Sequence, residues 1–479
     1  MASNGEHPLA PLFRPRSIAL AGASSDPSSL AMNWLEVLTA LQFRGPLYPV
    51  NPSLSEVAGL RCYPCLDEIP GPVDYVISCI PASGVPKLVE DCIRKGVKLL
   101  HLYTGRMADS GEPERIELEA HIGELARRGG LRVLGPNCMG LYYPAQRISY
   151  TFAFPREAGP VGYFAQSGSH TLDVVCKAAL RGARFSKVVS FGNALDINEC
   201  DLLEYFAQDP ETRIIAIYIE GVKDGPRFLR LLKETTPKKP VLVHKGGRSE
   251  AGTRATLSHT AALAGSERVW SAMFRQVGAV QAYNSDDLAD LIMTFLLLPP
   301  PRGRRVAVVG GAGGWAVQAA DDCDLAGLTV QPLSPDIRRQ IVELAPQTGF
   351  LLRNPVDTSA GANRQAMPSI IKLVAEWDQI DLIIALTSEW GLDRPRDRDA
   401  YVDSLGYLLD LRQHAPDKPL ALVATATAGS EEWRWRNNAE KVARATQSGI
   451  PVYHHVSRAA SALSRFCEYH EFLASRKAE

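Results

Sequence analysis

Ile18-Ala-Leu-Ala-Gly22-Ala-Ser-Ser25 runs four apolar residues into a glycine turn, the form of a buried strand whose C-terminal end opens a doubly wound sheet. Similar apolar runs follow at Leu47–Val50, Asp74–Ile80, Lys98–Leu102 and Arg132–Leu134, each trailed by a helix-compatible stretch. That alternation predicts βαβ units and a parallel sheet. The turn Gly135-Pro136-Asn137-Cys138 stops the series, and the first domain is expected to span 1–150. A second series runs through Val161–Ala165, Lys187–Phe191, Ile214–Ile219 and Pro240–Lys245. Three prolines beside glycine and arginines in Leu296–Arg305 read as a linker. A third series takes in Val306–Val309, Asp381–Leu386, Pro419–Thr425 and Pro451–Tyr453, closed by a helix over Ser457–Leu473. The expectation is α/β throughout, as three consecutive open-sheet domains at 1–150, 151–300 and 301–479.

Composition agrees with three separate cores. The 479 residues exceed what one hydrophobic core serves, and 46% apolar with 22% charged residues is a globular balance. Lys plus Arg (52) nearly cancels Asp plus Glu (53), so no broad field favours nucleic acid or an anionic membrane. Met1–Ser17 has no apolar core of signal-peptide length and Ile292–Leu298 is too short to span a bilayer, so a cytoplasmic location is expected. Nine cysteines lie scattered between Cys62 and Cys467 and read as reduced thiols. Cys62 and Cys65 form a C-x-x-C without a second pair or a nearby histidine, so no metal site is expected in this chain.

Three glycine-rich turns follow strands. The Gly22 turn lacks a full G-x-G-x-x-G, and Val50-Asn51-Pro52 stands where a dinucleotide fold puts its ribose-binding acid, which argues against a nicotinamide dehydrogenase. It reads equally as a nucleotide-type site or a structural turn. Phe164-Ala-Gln-Ser167-Gly168-Ser169-His170-Thr171 opens a helix where bare backbone N–H groups attract an anion, or where Ser167 or Ser169 simply caps. Gly310-Gly-Ala-Gly-Gly314 carries the same two readings.

His259 lies in Gly246–Gly265, a run of small residues without an aromatic. Such a segment buries little and reads as an exposed or mobile loop delivering one imidazole. A neutral imidazole is a competent nucleophile near pH 7, although a lone histidine is more often structural. Glu220, following the apolar strand Ile214–Ile219, is a candidate to accept the other ring N–H, its alternative being a solvated loop glutamate.

These residues bring a known family into view. Gly159-Pro-Val-Gly-Tyr-Phe-Ala-Gln-Ser-Gly168, Tyr218-Ile-Glu220-Gly-Val-Lys-Asp-Gly225 and Gly247-Arg-Ser-Glu-Ala-Gly252 with Ser258-His259-Thr260 carry a resemblance. Leu134-Gly-Pro-Asn137, Phe191-Gly-Asn193, Asp201–Phe206 and Asn354-Pro-Val-Asp357 extend it over almost the whole chain. The chain resembles the α part of ADP-forming acyl-CoA synthetases, relatives of succinyl-CoA synthetase. The resemblance implies a Rossmann-like CoA-binding domain followed by two flavodoxin-like domains. It implies His259 as the phosphorylated histidine, Glu220 as the glutamate bonded to it, and Ser167, Gly168 and Ser169 as the helix start holding phosphate. CoA is then expected near Gly22, Ala23, Ser24, Asn51, Pro52, Ile80, Pro81 and Asn137, with Asn193 and His170 at the acyl pocket.

The implied reaction is acid + CoA + ATP ⇌ acyl-CoA + ADP + phosphate, through an acyl phosphate and a phosphohistidine. ATP or ADP with Mg is expected on a partner, a β-type subunit with ATP-grasp domains, giving a hetero-oligomer. Departures from the family pattern fall at Asp26–Trp34, which lacks the usual glycines, at Leu102–Met107, and at Ser169-His170-Thr171, where smaller residues are usual. The rival reading is a non-catalytic CoA-binding regulatory homologue.

Overall fold

A computed structural model of the chain describes residues 7–260, 266–310, 313–346, 353–356, 366–387, 405–424 and 432–478; at 255, 257–260, 367, 407, 414 and 478 it describes the backbone alone. Three sheets carry it. The first holds β1 (Ile18–Ala21), β2 (Leu47–Val50), β5 (Tyr75–Ser78), β6 (Leu99–Leu102) and β7 (Arg132–Leu134), all parallel, in the order β2-β1-β5-β6-β7. A two-stranded antiparallel ribbon, β3 (Glu56–Val57) and β4 (Leu60–Arg61), stands apart from that sheet. Strands β1, β5 and β6 are buried along their whole length, as apolar runs in a parallel sheet covered on both faces must be.

Helices α1 (Leu30–Ala40), α2 (Val85–Lys95) and α3 (Pro113–Arg128) supply the covering layers. On α2 the buried Val85, Leu88, Val89 and Cys92 form one stripe at helical spacing, and Gly96 ends the helix in the left-handed region at φ +73.

The second sheet has the order β13-β12-β11-β9-β10-β8. Its strands are β8 (Gly140–Tyr142), β9 (Ala158–Ala165), β10 (Phe185–Ser190), β11 (Ile214–Ile219), β12 (Val241–Lys245) and β13 (Val280–Ala282). Around it lie α4 (Gly168–Leu180), α5 (Glu199–Gln208), α6 (Gly225–Thr235), α7 (Glu250–Thr260) and α8 (Glu267–Val277). β8 runs antiparallel to β10, so a strand from the first series of the sequence closes the edge of the second sheet. A three-residue Gly-Leu-Tyr strand is too short to show a period in sequence.

The helix α7 replaces the loop expected before His259. Ser249 Oγ accepts from the Gly252 N–H at 3.0 Å and caps it, and Arg254 reaches back to Glu250 at 3.0 Å. Alanine, arginine and leucine in that run favour a helix even where little apolar surface is buried.

The third sheet, in the order β15-β14-β16-β17-β18, contains β14 (Arg305–Val309), β15 (Thr329–Val330), β16 (Leu382–Thr387), β17 (Leu420–Ala424) and β18 (Val452–Tyr453), all parallel. Its core includes Ile383, Ile341, Val374 and Leu408. By contact the chain forms two compact units, Met1–Ala179 with Ala183–Leu288, and Leu180–Gly182 with Ala289–Glu479. The nine cysteines are free thiols, and among the described residues no helix is long and apolar enough to cross a membrane.

Candidate functional site

In each of the two larger sheets of the first unit the parallel strands reverse their order at one point, and open α/β sheets form their ligand crevices there, beyond the strand C-termini. In the first sheet this point lies between β1 and β5. Gly22 follows β1 at φ +86, and a Cβ on it would meet Ile80 Cγ2 at 2.9 Å. The glycine lets the two strand ends close on each other. Gly22 and Ala23 N–H both donate to Val50 O at 3.0 and 3.1 Å, and the Asn51 amide donates to Ala23 O at 2.8 Å. Thr104 Oγ1 donates to Ile80 O at 2.8 Å, and Asn137, at φ +58, donates its N–H to Thr104 O at 3.0 Å. Backbone bonds and short polar side chains thus tie Gly22, Ala23 and Asn51 together and join Ile80 to Asn137 through Thr104, while Ser24, Pro52 and Pro81 directly follow Ala23, Asn51 and Ile80 in the chain.

In the second sheet the reversal lies between β9 and β11. The parallel register Tyr218↔Ala165 puts Gln166 and Ser167 beside Ile219 and Glu220. Gln166 Oε1 accepts from the N–H groups of Glu220 and Gly221, the latter at 3.2 Å, locking the two strand ends together. Ser167 Oγ accepts from the His170 N–H at 3.3 Å and stands 3.1 Å from Ser169 Oγ. Capping is therefore real, and it leaves both hydroxyls at the helix start. A Cβ on Gly168 would lie 2.7 Å from Met139 Sδ, so a larger residue there would have to push the Met139 side chain aside.

Glu220 is buried at 5% exposure, and its Oε1 accepts from Tyr218 Oη at 3.1 Å. Its burial sets aside the solvated-loop reading. Gly246, whose N–H donates to Ile219 O at 2.8 Å, approaches so closely that a Cβ would lie 2.7 Å from Tyr218 Oη. Helix α7 carries position 259 in its last turn; the side chain of His259 lies outside the described residues.

His170 stacks on Tyr218 with ring centroids 3.8 Å apart, accepts or donates at Nδ1 with Tyr163 Oη at 3.3 Å, and has His244 at 4.8 Å. Burial pushes its imidazole down to about 4 and that of His244 to about 3. Asn193 has other partners: its amide donates to Asp109 Oδ1 at 3.1 Å and Glu119 Oε2 at 3.0 Å. Among the described residues, the partners of His170 and Asn193 have none in common. In the third sheet Gly310 turns at φ +112, and positions 311–312 lie outside the described residues.

Sequence reading passed over Gln166, Tyr218, His244 and Lys245. Lys245 gave the signal that Glu220 gave, a charged residue ending an apolar strand. His244, Lys245, Arg248, Glu267 and Tyr283 line a cavity of about 470 Å³ beyond the end of β12.

Comparison with known proteins assigns the class first. The CoA binding domain family matches residues 16–144 and the succinyl-CoA ligase like flavodoxin domain family matches 158–295. The acetate–CoA ligase [ADP-forming] I subunit alpha of Pyrococcus furiosus is 33% identical over 98% of this chain and 99% of its own. The corresponding II subunit alpha is 37% identical over 78% of this chain and 81% of its own. A solved acetyl-coenzyme A synthetase of Ca. Korarchaeum cryptofilum, in complex with phosphate and ADP, superposes with a TM-score of 0.83 at 29% identity, covering 98% of this chain and 99% of that one. The chain belongs to the family of ADP-forming acyl-CoA synthetases, in its α-subunit form. These relatives bear the names of enzymes, which disfavours a non-catalytic homologue.

Proposed function

We propose that this chain is the α subunit of an acid–CoA ligase that forms ADP, with His259 carrying the phosphoryl group between nucleotide and acid. The observation that carries this reading is the union, at the reversal point of the second sheet, of the Ser167–Ser169 helix start with the buried Glu220. A helix start with two hydroxyls receives a phosphoryl group, and a fixed carboxylate accepts an imidazole N–H, leaving the other ring nitrogen as nucleophile.

In the synthetic direction that nitrogen attacks the γ-phosphorus of ATP, the N–P bond forms and ADP leaves. A carboxylate of the acid then attacks the same phosphorus, freeing the imidazole and giving an acyl phosphate. The CoA thiol, losing its proton, attacks the acyl carbon and expels phosphate. CoA occupies the edge formed by Gly22, Ala23, Ser24, Asn51, Pro52, Ile80, Pro81 and Asn137. Asn193 and His170 border the acyl group. The domains run 1–150, 151–300 and 301–479.

The "subunit alpha" names of the two Pyrococcus relatives support a β-type partner, and we assign to it ATP-grasp domains holding ATP or ADP with Mg. The assembly is cytoplasmic. The test is incorporation of acid-labile phosphate from labelled ATP into this chain in its native complex. Wild type is expected to take label and His259→Ala none. A wild-type chain that binds CoA but takes no label with partner and nucleotide present would support a CoA-binding regulatory role instead.

A further inference from the structure

Tyr218 and Glu220 stand two residues apart at the end of β11, on one face of the sheet. There the half-buried Tyr218 hydroxyl donates to Glu220 Oε1 at 3.1 Å, and among the described residues it has no other hydrogen-bond partner. Burial and the Glu220 charge beside it push the phenol up, so the hydroxyl keeps its proton and is the donor of the pair. The ring itself is braced. His170 of α4 stacks on it with centroids 3.8 Å apart and planes at 15°, and Tyr163 Oη stands 3.3 Å from His170 Nδ1. His244, opposite Tyr218 in the β11–β12 register, meets it edge-on at 5.1 Å. A Cβ on Gly246 would lie 2.7 Å from Tyr218 Oη and 3.4 Å from Glu220 Cγ, so glycine there leaves room for the hydroxyl beside the carboxylate. A phenylalanine would make the same stack; what the hydroxyl adds is its bond to Glu220. The Glu220 backbone is fixed separately, by Gln166 Oε1 on the N–H groups of Glu220 and Gly221.

We propose that Tyr218 is a positioning residue, whose hydroxyl holds the Glu220 carboxylate where it accepts the imidazole N–H of His259. This rests on the reading of His259 and Glu220 given above. Outer partners of this kind orient the group that in turn orients the imidazole. A carboxylate free to turn spends less time where it fixes the ring tautomer. Tyr218 takes no part in holding the nucleotide, so its loss falls on the rate of phosphoryl transfer rather than on ATP binding.

The experiment is the kinetics of His259 phosphorylation from labelled ATP in the native complex, for wild type, Tyr218→Phe, Glu220→Ala and the double variant. Tyr218→Phe keeps the ring on His170 and removes the hydroxyl alone. Its rate constant at saturating ATP is expected to fall by about 10-fold, with KM for ATP within about twofold of wild type and melting lowered by a few degrees at most. In the Glu220→Ala background the same change should cost less than about twofold, because both substitutions break one interaction. If Glu220→Ala takes too little label to time, the split between rate constant and KM decides. A Tyr218→Phe rate constant within about twofold of wild type, a rise in KM alone, or an equal cost in both backgrounds overturns the proposal. Absence of label in wild type instead overturns the reading beneath it.

Discussion

His170 stands in the second sheet's site without a charge. Stacked on Tyr218 and half-buried, its imidazole is held down to about 4, against about 6.5 in an unfolded chain. Between those values the unfolded chain binds a proton that the fold refuses. Stability is thus fully present above about pH 6.5 and declines as pH falls toward 4. His244, held down to about 3, and His101, about 4, add declines in the same direction. His170→Phe keeps an aromatic ring on Tyr218 and removes one titrating group. Its stability at pH 7 is expected to lie within about 1 kcal/mol of wild type. The loss between about pH 6.5 and 4.5 should shrink by about 1 kcal/mol, the full shift being discounted for the ring's remaining solvent contact. Urea unfolding at the two pH values measures this, and an undiminished acid loss in the variant would count against it. That charge state was hidden in the sequence, where His170 was visible only as an unusually large residue at a helix start. Its meaning depends on Tyr218, Tyr163 and His244, which three different strands bring together.

The turn Phe191–Asp196 after β10 shows what a short element does for the edge where CoA is proposed to bind. Asn193 N–H donates to Pro136 O at 3.0 Å and Leu195 N–H to Gly135 O at 2.9 Å, strapping this turn onto Gly135–Asn137. Asp196 adds an ion pair to Arg132 at 2.8 Å. Gly192 lies at φ +57, and a Cβ there would meet Asn137 O at 2.6 Å and the Pro136 carbonyl as well. Gly192→Ala must therefore strain its own backbone and push on Asn137. A loss of about 1–3 kcal/mol is expected in denaturant unfolding, with weaker CoA binding by isothermal titration. Asp196→Asn, which keeps the turn, should affect CoA binding far less. Elements of this kind divide the legible from the hidden. The long apolar strands Ile18–Ala21, Ile214–Ile219 and Val241–Lys245 are plain in sequence because burial on both faces requires them to be apolar throughout. β8, β13 and β15, two or three residues each, leave no period to read. α7 was read as a loop because its small residues bury little, yet alanine and a serine cap suffice for a helix. Glu220 was legible as an acid at the end of an apolar strand, but Gln166 acquires its role only through the register that seats it beside Glu220.

For the chain as a whole, the proposed function sets two chemistries at equivalent places of the first two sheets. The parallel strands of each sheet reverse their order once, and at that reversal strand ends meet: Gly22 and Ile80 in one, Gln166 and Glu220 in the other. Such an arrangement allows CoA to be held by the first sheet without any nucleotide on the second. CoA alone, with neither ATP nor acid, is then expected to bind the isolated chain. Because it binds only the folded state, CoA at about 100 times its Kd should stabilise the chain by about 2.7 kcal/mol, read as a melting shift of a few degrees. Desulfo-CoA should act almost as well, since the proposed placement of CoA directs its thiol toward His259 and away from the edge formed by Gly22, Asn51, Ile80 and Asn137. NAD should produce no shift, because Val50-Asn51-Pro52 offers no carboxylate to a ribose. Asn51→Ala frees Ala23 O from its 2.8 Å bond and leaves the glycine turn less fixed. It should lower the CoA shift while His259→Ala leaves it intact, and a CoA shift lost in His259→Ala but kept in Asn51→Ala would move the CoA site away from the first sheet.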